Sequence, residues 1–190
     1  MKNCPFFKNP LALIIVLGVC FSCIKDTDFD QATPITLTPI MDVNFMEFQE
    51  TSSSFLDASG TEMPFISDLI VLEVLSSDFI HDHLTKAELV FEVTNSLNKA
   101  FQIKMDFYDP EDILQHSFSI DIDNSPSHIP LVTEHTEVFE AMSLQALKTS
   151  FKLEITITLV SNATGSVLTP DSEGNLDLIS NGILYLEYTQ

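Results

Sequence analysis

The chain has 190 residues, of which 28 are acidic and eight basic, a formal charge of −20 at pH 7. The eight basic residues are all lysines, so nucleic acid is excluded as a partner by the sign of the charge and by the missing arginines. Bidentate clamping of phosphate or carboxylate goes with the arginines, and five glycines in the whole chain leave little room for phosphate-cradling loops.

A basic start (Met1, Lys2, Lys8) leads into 11 apolar residues, Leu11 to Phe21. A permanent membrane helix needs roughly 20. The run has the length of a signal-peptide core instead. Ser22 supplies the small side chain that cleavage needs before the scissile bond. Residues 1–22 are therefore expected to be a signal peptide. Cys23 and the acidic stretch Lys25-Asp26-Thr27-Asp28-Phe29-Asp30 follow it.

Ser22-Cys23 resembles the lipobox of bacterial lipoproteins, in which the cysteine receives a diacylglycerol and becomes the new N-terminus. The usual pattern has an aliphatic residue and then a small one before the residue next to the cysteine; here Cys20 and Phe21 stand there. Cys20 is a rival acceptor, but Val19 before it is branched where a small residue is wanted. Cys23 is the expected lipid-attachment residue. Lys25-Asp26-Thr27-Asp28 is similar to the lysine-plus-acid export signal of Bacteroidota lipoproteins. The resemblance implies an outer-membrane lipoprotein of the cell envelope, exposed at the surface. It brings no known activity with it.

Only Cys4, Cys20 and Cys23 exist. With Cys23 lipidated, the mature chain has no free thiol, no disulfide and no thiolate metal site. All 28 acids and six of the lysines lie after Cys23, which leaves 22 excess negative charges. An anionic lipid surface repels such a domain within about 8 Å at physiological salt. The lipid is thus the membrane contact, and the domain stands off. The charge reads as solubility; a divalent cation or a basic partner is the sharper alternative. Residues 23–35, ending near Pro34, read as an acidic lipidated tether. Residues 36–190 read as a single domain, long enough to bury its own core.

Within that domain apolar and polar residues alternate, the signature of half-buried strands. Leu37 to Phe48 alternates roughly. Ile66 to Leu75 is apolar without a clear period. Leu89, Phe91 and Val93 alternate with Glu88, Glu92 and Thr94, and Phe101, Ile103, Met105 and Phe107 with Gln102, Lys104 and Asp106. Leu114–Ile122 and Phe151–Val160 repeat the pattern, and a last strand is expected over Ile183–Tyr188. Asp57–Thr61 and Asp171–Asn175 read as loops; Asn95-Ser96 and Tyr108-Asp109-Pro110 are turn signals. Ser77-Asp78 is expected to cap a helix over Phe79–Leu84, and Ser143 another over Leu144–Lys148. The fold class is all-β: a two-sheet antiparallel sandwich, immunoglobulin-like, with one or two short helices.

Motifs for catalysis are missing: no nucleophile elbow, zinc-protease motif or phosphate loop. Three constellations are weighed and set aside. His81 and His83 would share a side on a strand, but on a helix they point about 200° apart. Asp171, Glu173, Asn175 and Asp177 have alternate-oxygen spacing with Gly174 at the turn, yet no downstream glutamate. Glu111-Asp112 and Asp121-Asp123 are carboxylate pairs that 28 acids produce by chance. No catalytic residue, cofactor or metal site is expected. The expected role is a non-enzymatic interaction or accessory module with an envelope protein partner. A ligand- or carbohydrate-capturing lipoprotein is the alternative, although no tryptophan offers a sugar platform; a hydrolase with scattered residues is the third.

Overall fold

A computed structural model describes residues 35–160 and 165–189. The predicted signal and the tether as far as Pro34, with Cys23, lie outside the described residues. Thr36–Gln190 forms one compact unit. Its described residues make strands β1 (Thr36–Leu37), β2 (Ile40–Thr51), β3 (Phe65–Val71), β4 (Leu84–Asn95) and β5 (Phe101–Tyr108). They continue with β6 (Leu114–Ile122), β7 (Leu131–Phe139), β8 (Lys152–Leu159), β9 (Asn175–Leu186) and β10 (Tyr188–Thr189). Two α-helices, α1 (Asp78–His83) and α2 (Ala141–Thr149), sit in the connections.

Two four-stranded sheets form the body, in the orders β2-β9-β4-β7 and β3-β8-β5-β6, and every neighbouring pair is antiparallel. The short strands β1 and β10 pair separately. This is the expected antiparallel sandwich with short helices. The immunoglobulin likeness extends to the layering; the strand order is that of a jelly roll. From β2 to β9 every connection crosses to the other sheet except the β5–β6 turn. Crossing connections place β2 above β3 at one side of the sandwich and β7 above β6 at the other.

The core follows from the period of two. Leu153, Ile155, Ile157 and Leu159 of β8 are buried, while the residues between them are partly exposed. Leu89, Phe91 and Val93 of β4 meet Ile103, Met105 and Phe107 of β5 in the same cluster. Phe55, Phe91, Phe101, Phe107 and Phe139 are fully buried, each contributing about 1.5–3 kcal/mol of hydrophobic stabilisation. Buried Asn95 organises the β4–β5 turn: its amide nitrogen donates to the carbonyls of Lys99 (2.9 Å) and Asp123 (2.8 Å), and its oxygen accepts Leu97 N–H (3.0 Å). Such a satisfied side chain replaces the ladder where the strands end.

Four elements depart from the sequence reading. The apolar run from Ile66 is β3 followed by a 3-10 turn at Glu73–Ser76. β7 was not expected, because its inward positions hold Thr133, His135 and Glu137 while Val132 and Val138 point out. β9 begins eight residues before Ile183, because inward Ser180 and Gly182 interrupt the apolar alternation. At Gly182 a Cβ would lie 3.1 Å from Val43 Cγ2, so the small residue reflects close strand packing. Finally, α2 starts at Ala141 with Glu140 as its N-cap, and Ser143 is the third helical residue. Its hydroxyl accepts Glu140 N–H at 3.0 Å, which reaches back over the first turn. α1 agrees with its prediction to a residue, with Ser77 at its N-cap.

Candidate functional site

The two open sides of the sandwich are finished differently. At the β6–β7 side the sheets are clasped. His116 Nε2 of β6 lies 2.7 Å from Glu137 Oε1 of β7, and His135 Nε2 lies 3.2 Å from Glu137 Oε2. His135 stacks on Phe118 with ring centroids 5.1 Å apart, and His116 meets Phe139 edge-on at 4.8 Å. Helix α2 packs against both strands. Aromatic contacts of this kind add to simple burial.

At the β2–β3 side no such clasp forms. None of the side-chain hydrogen bonds among the described residues joins β2 to β3. The register shows what faces the gap. Met46, Phe48 and Glu50 of β2 pair with buried Ser180, Leu178 and Leu176 of β9. Ile66, Asp68 and Ile70 of β3 pair with Ile157, Ile155 and Leu153 of β8. Directly paired residues share a face, so all six side chains point between the sheets. They open onto a groove of about 290 Å³ whose floor includes Ile155 and Ile157. Glu50 and Asp68 thus hold positions where a closed sandwich places apolar side chains. No ion pair among the described residues involves them or the neighbouring Glu47; Asp68 is exposed, and its Oδ1 accepts the Leu69 N–H at 2.8 Å. On the outer face of β3, Phe65, Leu69 and Val71 are each about half exposed. Both strands are outermost in their sheets, and an edge strand offers unpaired backbone donors and acceptors to a further strand.

The sequence-weighed constellations fall elsewhere and do not converge. His81 Nδ1 lies 3.3 Å from Asp82 Oδ1, whereas His83 Nδ1 faces the carbonyl of Glu187 at 3.1 Å and its ring packs against Phe79 and Tyr188. Asn175 and Asp177 belong to β9: the Asp177 carboxylate accepts Gln49 Nε2 at 2.7 Å and the Asn175 amide, while Asn175 Oδ1 accepts the Ser96 hydroxyl. Asp112 pairs with Lys152, and Asp121 accepts Gln102 Nε2 at 2.8 Å. Among the described residues no group of three or more histidine, cysteine or acidic side chains could hold a metal, and no helix is long and apolar enough to cross a membrane.

The shifted pKa values are also local and superficial. The Ser59 hydroxyl, with the N–H groups of Thr61 and Ser59, holds the Asp57 carboxyl below its usual range. The Lys86–Glu88 hydrogen bond raises the lysine and lowers the glutamate. Asp106 raises Lys104 in the same way, and burial pushes the Tyr108 phenol up, aided by the charges of Asp106 and Glu154. These groups lie in a loop and on the outer faces of β4 and β5, apart from the groove.

No protein-family model and no curated protein matches the chain. Solved structures align with it at low identity. A protein of Parabacteroides distasonis described as secreted aligns over 63% of this chain at 13% identity, with a TM-score of 0.47. The chain spans 37% of that protein's length. A subviral particle of infectious bursal disease virus VP2 aligns over 81% of this chain and 33% of its own, at 10% identity and a TM-score of 0.39. The tailspike protein 4 of bacteriophage CBA120 aligns over 75% and 19%, at 8% identity and a TM-score of 0.34. Likenesses this distant carry no argument about function.

The groove and the clasp both escaped the sequence reading. His116, His135 and Glu137 lie on two strands that meet only across the sandwich. No local signal marks them: all five residues from Thr133 to Glu137 are polar, so no alternation distinguishes the inward positions.

Proposed function

We propose that this chain is a lipid-anchored cell-envelope protein whose sandwich is a non-enzymatic docking module, with the partner seated at the β2–β3 side. The observation that carries the reading is the contrast between the two open sides. One is sealed by a hydrogen-bonded clasp, aromatic packing and a helix. The other leaves two edge strands, an apolar floor and exposed Phe65, Leu69 and Val71. An enzyme or a small-molecule receptor calls for an enclosed pocket with convergent polar groups; the groove is open, and the groups with shifted pKa values stand away from it. Open strand edges beside apolar surface are what strand-adding partners use.

The anchor reading rests on the sequence of residues 1–30. In it Cys23 carries the lipid, residues 23–35 are the tether, and the protein sits in the outer membrane at the surface. Several acyl chains at about 0.8 kcal/mol per buried CH₂ hold such a protein firmly. Fatty-acid labelling of Cys23→Ser and Cys20→Ser chains tests it: label is lost in the first and kept in the second. The reverse would move the anchor to Cys20. For docking, a photo-crosslinking residue is placed at Leu69 on β3 or at Thr136 on β7 in the full chain, in its native cells. A defined adduct at Leu69 and none at Thr136 is expected. Adducts only at Thr136 would overturn the reading.

A further inference from the structure

Resting on that docking reading, we infer that the β2–β3 groove takes an extended segment of a partner protein whose inward-facing side chains run apolar, basic, apolar. Two features commit the groove to this occupant. The first is its shape and edges. An added strand paired with β3 sets every second side chain beside Ile66, Asp68 and Ile70 in turn, over Ile155 and Ile157, as alternating side chains do.

The second is charge. Glu50 and Asp68 face the gap from opposite lips. An inward-pointing carboxylate on an edge strand is costly to bury unpaired; it therefore rejects a purely apolar strand, a common protection of natural sheet edges. The same group becomes attractive to a strand that brings its own cation, so one device supplies both rejection and selection. Four of the lysines are committed elsewhere. Lys86, Lys99, Lys104 and Lys152 are already paired with Glu88, Glu62, Asp106 and Asp112. A second copy of the chain is rejected too, because its lips carry the same carboxylates and its surface the same excess of acid.

The test uses isoleucine-methyl NMR on the full chain in detergent with three synthetic ten-residue peptides. Their inward-facing positions run valine-X-valine with serine at the outward positions between, and X is lysine, serine or glutamate. The lysine peptide is expected to shift the methyls of Ile66, Ile70, Ile155 and Ile157 with saturable affinity, and the serine and glutamate peptides to bind at least tenfold more weakly. Glu50→Gln with Asp68→Asn should weaken the lysine peptide at least tenfold, whereas Glu134→Gln with Glu154→Gln, the same charge change elsewhere, should leave it within twofold. Serine-peptide binding as tight as lysine-peptide binding at those methyls overturns the charge selection and leaves the docking reading standing. So does lysine-peptide binding that is indifferent to the lip substitutions. If no peptide reaches those methyls while the crosslinker at Leu69 also yields no adduct, both fall.

Discussion

His116 Nε2 of β6 sits 2.7 Å from Glu137 Oε1 of β7, so a single hydrogen bond joins one sheet of the sandwich to the other. The second carboxylate oxygen engages His135, and about a fifth of the His116 and Glu137 side chains is exposed. A hydrogen bond to a charged group contributes about 1.5–3 kcal/mol. Glu137→Ala should cost that much in urea melts and His116→Ala slightly less, since Glu137 keeps His135. The double variant should show a coupling of about 0.5–3 kcal/mol, as contacting residues do. Additive costs would mean that the aromatic packing, and not the bond, closes this side.

Buried Lys99 presents a second pair. Its ammonium lies 2.8 and 2.9 Å from the two Glu62 oxygens, and Glu62 Oε1 also accepts Leu168 N–H at 2.7 Å. Removing one partner of a buried pair leaves the other charge uncompensated, at about 3–5 kcal/mol. Glu62→Ala strands the more buried ammonium and frees Leu168. Lys99→Met keeps the apolar stem and leaves the more exposed carboxylate, so it should cost clearly less. Denaturant midpoints decide it; equal losses would show that the pair acts mainly through packing.

The β8 strand gives a plainer contrast. Ile157 is buried and in register with Ile103 and Ile66, while Thr156 points outward. Ile157→Ala should cost about 2–5 kcal/mol, and Thr156→Ala well under that. Melts of the full chain measure both, and similar losses would mean that the outer face of this sheet is covered.

Asp57 sets a pH-dependent expectation. Its carboxyl is held below the ordinary value by the Ser59 hydroxyl first and then by the Thr61 and Ser59 N–H groups. A carboxyl lowered by folding stabilises the native loop above its unfolded value, and the effect is lost as pH falls through the lower native value. An NMR titration of Asp57 should move its midpoint up in Ser59→Ala. An unmoved midpoint would leave the backbone donors as the whole cause.

What was legible in the sequence follows from where periodicity survives. β4, β5 and β8 bury one face between two neighbours and against the opposite sheet, so their apolar residues recur at every second position, and the edge strand β6 keeps the period from Phe118 to Ile122. β7 is an edge strand whose inward residues finish the clasp, and β9 carries inward Ser180 and then Gly182, which Val43 of β2 and Leu89 of β4 crowd. Neither keeps the pattern. The groove was illegible for a related reason: Glu50 and Asp68 read locally as solvated acids, and only the register shows them facing inward. Strand order, which makes the sandwich a jelly roll, depends on pairings such as β2 with β9, more than a hundred residues apart.

The Asp171–Asp177 segment closes on calcium. Its oxygen spacing invited a metal loop, but Asp177 is engaged by Gln49 and Asn175, and Asn175 by Ser96. Gly174 has a φ of +106°, and a Cβ there would lie 2.4 Å from the carbonyl oxygen of Ser96. The turn is therefore fixed by packing against the β4–β5 connection. Two consequences are separable. Gly174→Ala should destabilise by well over the roughly 1 kcal/mol of an ordinary glycine-to-alanine change, because it combines a left-handed φ with a backbone collision. Calcium chloride should raise the melting midpoint no more than sodium chloride of equal ionic strength, since both only screen the repulsion among excess acids. A specific site would add about 2.7 kcal/mol at a hundredfold excess over Kd. A calcium-specific rise, abolished by Asp171→Asn with Asp177→Asn, would make this loop a metal site and turn the Gly174 effect into one of loop geometry for a ligand.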